Sequence, residues 1–134
     1  EQKSFLSTIY NLKLYLLGLH LFQRGVSLME RPPDARFYLI SHPESTIMIK
    51  VSGDSMIEAG IHTGDIVIVD KGMNAKVDHI VVAEVDREFT LKYLKKDNKG
   101  YYLHAGNSKY PDFHPREELK IFGVVVGVIR KYQK

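Results

Sequence analysis

Apolar residues recur three or four positions apart at Phe5, Ile9, Leu12, Leu16 and Leu19, the spacing of one helix face, and predict a helix over 5–24. Tyr10, Tyr15 and Leu21 widen that surface, so the segment is expected to pack against its own domain or a second subunit. Gly25 and the run Arg31-Pro32-Pro33-Asp34 interrupt the pattern and read as an extended connector. Phe37 to Ile40 is a short apolar stretch, read as helical, ended by Ser41-His42-Pro43.

From Thr46 onward the period changes from helical to two. Residues 46–51 alternate and are rich in branched side chains, 52–55 form a turn-like break, and Gly64-Asp65 opens the strand Ile66 to Asp70. His79 to Val85 is another strand, and Asp86-Arg87-Glu88 turns into a strand over 89–96. In that strand Phe89, Leu91, Tyr93 and Lys95 share one face, while Thr90, Lys92, Leu94 and Lys96 share the other. Asp97-Asn98-Lys99-Gly100 is a hairpin signal, after which Tyr101 to His104 returns antiparallel. The last strand is Ile121 to Ile129, where Gly123 and Gly127 mark bends or bulges. The expected fold is mainly β, with an N-terminal helical or extended arm and connector over 1–36 and a β domain over 37–134.

Composition narrows the function. The 134 residues carry 19 basic and 16 acidic side chains, a net +3, and the signs are interspersed. A nucleic-acid groove would show a concentrated basic stripe, so direct DNA binding is expected to be weak or absent. With no cysteine, disulfides, thiolate catalysis and Cys-based metal sites are excluded, which suits a reducing cytoplasm. The apolar arm is broken by Asn11, Lys13 and His20 and is short against the about 20 residues a membrane span needs; no membrane span and no secretory signal are expected.

The candidate chemistry is a serine and a lysine. A serine hydroxyl is a weak nucleophile until a base takes its proton, and a lysine can serve if burial holds it neutral. Ser55 lies in Ser52-Gly53-Asp54-Ser55-Met56, where Gly53 permits a sharp turn and leaves backbone N–H groups to face an oxyanion. Lys92 shares its strand face with Leu94. Spacing alone favours a plainer reading, in which Ser55 caps a helix at 56–60 and Lys92 faces solvent. The histidines at 20, 42, 62, 79, 104 and 114 have no metal-ligand spacing; no metal and no cofactor are expected. Asp54, Asp65 and Asp70 are read as turn residues rather than a carboxylate cluster. No phosphate-binding loop is present, since Gly53, Gly60 and Gly64 lack the Lys-Ser/Thr ending.

A series of motifs shifts the balance. Val51-Ser52-Gly53-Asp54-Ser55-Met56-Ile57, Gly60-Ile61 and the run from Gly64 to Asp70 come first. Asp78 to Ala83, Glu88 to Leu94, Asn107-Ser108-Lys109-Tyr110 and Leu119 to Val125 follow in order, with His42-Pro43-Glu44-Ser45-Thr46 upstream. The chain resembles the LexA/UmuD family of bacterial SOS-response autopeptidases over about residues 37–130, and its UmuD-like branch above all. The resemblance implies a curved, mostly β catalytic domain also seen in signal peptidases, usually homodimeric, with Ser55 as nucleophile and Lys92 as general base. Met56 would shape the oxyanion site, and Ser52, Gly53 and Asp54 the turn beneath it. It also implies self-cleavage at a small-residue–Gly bond upstream, stimulated by RecA–single-stranded DNA filaments. The cleaved form would serve as accessory subunit of an error-prone translesion DNA polymerase.

The candidate bond departs from that pattern. Gly25 is the glycine at the family's distance before Ser55, but Arg24 precedes it where the family has a small residue. Ala105-Gly106 is a small-Gly pair in the wrong order along the chain. Three explanations stay open: a chain already trimmed, which the start at Glu1 without Met favours slightly, poor cleavage at Arg24–Gly25, or a branch acting without cleavage. The rival readings are the catalytic half of a LexA-like or phage repressor, a non-catalytic polymerase-binding module, and a leader peptidase, against which the broken arm argues.

Overall fold

The period-two runs become strands because branched side chains on alternate faces pack against neighbours across a pleated sheet. They are β1 (Thr46–Lys50), β2 (Ile66–Asp70), β3 (Ile80–Val85), β4 (Glu88–Asp97), β5 (Gly100–His104) and β6 (Lys120–Ile129). All six lie in one sheet of order β1-β2-β6-β3-β4-β5, and each pairing is antiparallel. A short helix α1 (Ala35–Leu39) precedes the sheet, and 3-10 turns occupy Pro43–Ser45 and Ile57–Ala59. The structure, a computed structural model, describes residue 29 and residues 31–133. The helix expected over 5–24, with Arg24 and Gly25, lies outside the described residues. The chain divides into Glu1–Asp34 and Ala35–Lys134, and the fold described here is that of the second unit.

The strands agree with the sequence reading to within a residue or two, the usual uncertainty of an element end. Val51 has left β1 but still donates to the Asp65 carbonyl (2.8 Å) and accepts from the Gly64 amide (2.9 Å). Two hairpins use different turn chemistry. Val85 pairs with Glu88 across Asp86 and Arg87, whose φ values of 50° and 68° give the twist a two-residue loop needs. Asp97 pairs with Gly100, and it is Gly100 that takes the positive φ, 124°.

The core lies on both sides of the sheet. One cluster gathers Met56, Ile61, Val67, Val69 and Val82; the other gathers Val81, Ala83, Leu94, Leu103 and Val124. The Gly123 and Gly127 bends are present as register shifts. Pairing jumps from Val82↔Gly123 to Ala83↔Ile121, leaving Phe122 unmatched, and from Ile68↔Gly127 to Val69↔Val125, leaving Val126 unmatched. Gly127 also makes room for α1, since a Cβ there would sit 3.0 Å from Leu39 Cδ2. The same short helix leaves Phe37 79% exposed and Tyr38 71% exposed. The apolar stretch at 37–40 thus forms the expected helix but buries little of it.

Candidate active site

Ser55 occupies the second position of a β-turn closed by the Ile57 N–H on the Asp54 carbonyl, 3.3 Å. The turn enters through Gly53 at φ 97°, a left-handed conformation that costs glycine little. The Thr63 hydroxyl holds this glycine twice, accepting from its N–H (2.9 Å) and donating to its carbonyl (2.8 Å). Of the turn amides expected to face an oxyanion, Gly53's is therefore already engaged. Among the described residues, the amides of Ser55 and Met56 donate to no protein acceptor. Met56 is 2% exposed and anchors the turn in the first core cluster. It also bars the capping reading of Ser55: it is Met56 that stands ahead of the 3-10 turn at 57–59, and no side chain caps it.

Lys92 reaches the serine from β4. Its Nζ lies 3.1 Å from Ser55 Oγ, 2.7 Å from Thr90 Oγ1 and 3.0 Å from the Leu91 carbonyl. Ser55 Oγ is itself 3.5 Å from that carbonyl. In the ladder Lys92 stands opposite Val81, a fully buried residue. Burial pushes the Lys92 amine below the ordinary lysine range, and the partners at its Nζ are neutral oxygens rather than a carboxylate. When the amine is neutral, the same contact lets the Ser55 hydroxyl donate to Nζ. Thr90 has no part in the sequence reading of the site. Its signal was available, because a residue two positions before Lys92 shares its face.

Ser55 lines a groove of about 200 Å³, together with Ile49, Val51 and Ser52 and with Phe89, Thr90 and Leu91 of β4. β5 pairs with β4 at residues 93–97 alone, so β4 has no strand partner on that edge from Glu88 to Lys92, where Phe89 to Leu91 line the groove and the Leu91 carbonyl meets Lys92 Nζ and Ser55 Oγ. A larger cavity, about 720 Å³, lies between the β3–β4 turn and residues 113–120. Acidic and basic side chains of mixed sign line it, away from Ser55.

The loop after β5 closes over the Ser55 turn. Gly106 accepts from the Glu58 N–H (2.7 Å) and donates to Met56 Sδ (3.2 Å), and the Ser108 N–H donates to Glu58 Oε2 (2.7 Å). Asn107 Nδ2 donates to the Asp54 carbonyl at 2.9 Å, and the Tyr110 hydroxyl donates to the Asp54 carboxylate. Gly106 thus packs against the turn, and Ala105 beside it is buried. The resemblance set Asn107 to Tyr110 in the same motif series as Ser55 but gave no contact between them, because those contacts span some fifty positions of chain.

The three aspartates are apart and differently used. Asp54 is exposed and takes the Tyr110 hydroxyl. Asp65, 2% exposed, accepts from Arg130 Nε and Nη2 (both 2.7 Å) and from the His62 N–H (2.8 Å), which hold its carboxyl well below the usual range. Asp70, also 2% exposed, meets His42 Nδ1 at 2.6 Å and accepts from the Gly72 N–H at 2.8 Å. Among the described residues, no group of three histidines or carboxylates is placed to hold a metal ion. No helix of the described residues is long and apolar enough to cross a membrane.

A six-stranded β domain with a serine turn facing a half-buried lysine defines the class of fold and site. The chain belongs to the Peptidase S24-like family, whose model matches residues 26–126. It is 42% identical to Protein SamA of Salmonella typhimurium over 102 residues, covering 76% of this chain and 71% of SamA. It is 35% identical to Protein ImpA of Escherichia coli over 103 residues, 76% of this chain and 70% of ImpA. The LexA repressor of Alcanivorax borkumensis is 43% identical over 86 residues, 63% of this chain and 42% of the repressor.

Proposed function

We propose that this chain is a UmuD-like self-cleaving serine–lysine peptidase domain. The observation that carries the reading is the 3.1 Å contact between Ser55 Oγ and the half-buried Lys92 Nζ, with no carboxylate on the amine among the described residues. Neutral Lys92 takes the hydroxyl proton as Ser55 Oγ attacks a peptide carbonyl. The amides of Ser55 and Met56 are the candidate donors to the resulting oxyanion. Collapse breaks the C–N bond, and the Lys92 ammonium returns its proton to the leaving amine. Water then attacks the acyl ester with Lys92 again as base, releasing the acid and free Ser55. Thr90 Oγ1 and the Leu91 carbonyl orient the amine throughout. An extended substrate segment would lie in the groove along the edge of β4 left without a strand partner, and a segment of the same chain would be favoured by its high effective concentration.

The likeness to SamA and ImpA, each covered over more than two thirds of its length, supports the UmuD-like branch over the repressor branch. In this reading the processed homodimer is a cytoplasmic accessory subunit of an error-prone DNA polymerase in the SOS response, and RecA–single-stranded DNA filaments trigger the cut. The bond is proposed at Arg24–Gly25.

Intact mass after incubation tests this, on the full-length protein and its Ser55→Ala and Lys92→Ala variants. Cutting is expected to accelerate from neutral pH towards about pH 10, where lysine deprotonates, and to vanish in both variants. Fragment masses report the bond. A full-length protein that never cuts, even with RecA filaments, would instead favour a non-catalytic binding module.

A further inference from the structure

The peptidase reading needs the Ser55 N–H to hold one direction, and the turn by itself secures it weakly. The Ile57 N–H reaches the Asp54 carbonyl at the long distance of 3.3 Å. The shorter bond to that oxygen comes from Asn107 Nδ2, at 2.9 Å. Asn107 is 6% exposed, and its own Oδ1 accepts from the Lys109 N–H at 3.0 Å, which fixes the amide's orientation. Gly106 seats the residue: a Cβ there would approach Met56 Cα to 3.2 Å, so the loop backbone lies directly on the Ser55 turn.

The described peptide bonds are all trans. In a planar trans peptide the C=O of one residue and the N–H of the next point in opposite directions. Holding the Asp54 carbonyl towards Asn107 therefore turns the Ser55 N–H away from the loop. That amide donates to no protein group among the described residues, as an oxyanion donor must not.

We infer that Asn107 is a positioning residue: by gripping the Asp54 carbonyl it orients the Ser55 N–H that binds the oxyanion. This rests on the peptidase reading above, and two measurements separate the fates of the two claims.

The first is the self-cleavage rate of full-length protein against pH. Asn107→Ala and Asn107→Asp, whose carboxylate cannot donate, should both cut about 10- to 100-fold slower, part of the 10²–10³ lost when an oxyanion donor is removed. The midpoint of the pH–rate profile, which reports Lys92, should stay where it is. Tyr110→Phe, which removes the neighbouring bond to the Asp54 side chain, should cut at close to the wild-type rate. Wild-type rates in the Asn107 variants, or a displaced midpoint, would overturn the inference.

The second measurement does not depend on cutting. The ¹⁵N–¹H resonance of Ser55 should move in Asn107→Ala far more than resonances elsewhere in the sheet, and its amide should exchange faster with solvent. An unmoved Ser55 amide would refute the positioning role whether or not the protein cuts. A moved amide in a protein whose wild type never cuts would uphold the orienting bond and dispose of the peptidase reading alone.

Discussion

Lys92 shows how a single residue can work against the stability of its own fold. Its amine is half-buried with neutral oxygens at its head, so the charged form is disfavoured in the folded state. Below the depressed folded-state pKa both folded and unfolded chains hold the proton, and the burial cost is felt in full. As pH rises towards the ordinary lysine value the folded chain gives up its proton first. The unfolded state then binds more protons and stability climbs. Lys92→Met is therefore expected to raise the thermal midpoint at neutral pH by a few degrees, with the gain shrinking as pH approaches the ordinary lysine range. Thermal melts of the two proteins from pH 6 to 10 would check this; a gain constant with pH would mean that the amine is not under strain from burial.

At the scale of elements, β6 depends on residues that are not there. It runs between β2 and β3, and at Gly123 a Cβ would come within 2.6 Å of Val69 Cγ1 and 3.1 Å of the Asp70 carbonyl. Val69 is fully buried and stiff at χ1, and the β2 backbone beside it cannot shift freely, so neither contact yields cheaply. Gly123→Ala is expected to cost about 1–3 kcal/mol through overpacking, measured as the shift in a urea midpoint. Gly127→Ala, facing the tip of Leu39 at 3.0 Å, should cost less. Equal losses would show that the contacts to Val69 and the Asp70 carbonyl are not what limits Gly123.

Across the whole molecule, polar pairs tie distant parts of the chain to the sheet. Arg130, just past β6, grips Asp65 ahead of β2, and His42 ahead of β1 grips Asp70 at the end of β2. The Asp70 carboxylate, hydrogen-bonded first by His42, raises the histidine's pKa and has its own lowered in return. The histidine's contribution is full below its ordinary value of about 6.5 and is lost as pH rises through the raised folded one. The aspartate's is full above its ordinary value of about 3.9 and is lost as pH falls through the lowered one. The stability difference between wild type and His42→Ala should therefore be widest between about pH 4 and 6.5 and narrow above. Denaturant midpoints at pH 5.5 and 8.5 would decide it, and a difference that grew with pH would reverse the assignment.

The strands were legible because each is a local pattern: alternation in β1 and β4, a continuous apolar run in β2, a polar turn between each hairpin pair. Ser55 and Lys92 were legible as residues, one on a glycine turn and one on an apolar strand face. Their roles were read through resemblance, since spacing by itself left Ser55 as a cap and Lys92 in solvent. Alternation has no knowledge of which strands become neighbours. The order β1-β2-β6-β3-β4-β5 places the last strand in the middle of the sheet, and that follows from which apolar faces can be buried together. The same burial folds the loop after β5 back onto the serine turn, giving Asn107 its contact there. Local sequence thus specifies the elements and the candidate serine and lysine, because propensity and turn geometry act over a few residues. The distance between those groups, the neutral environment of the amine and the grip on the Asp54 carbonyl arise when the core closes, because each depends on atoms far apart along the chain.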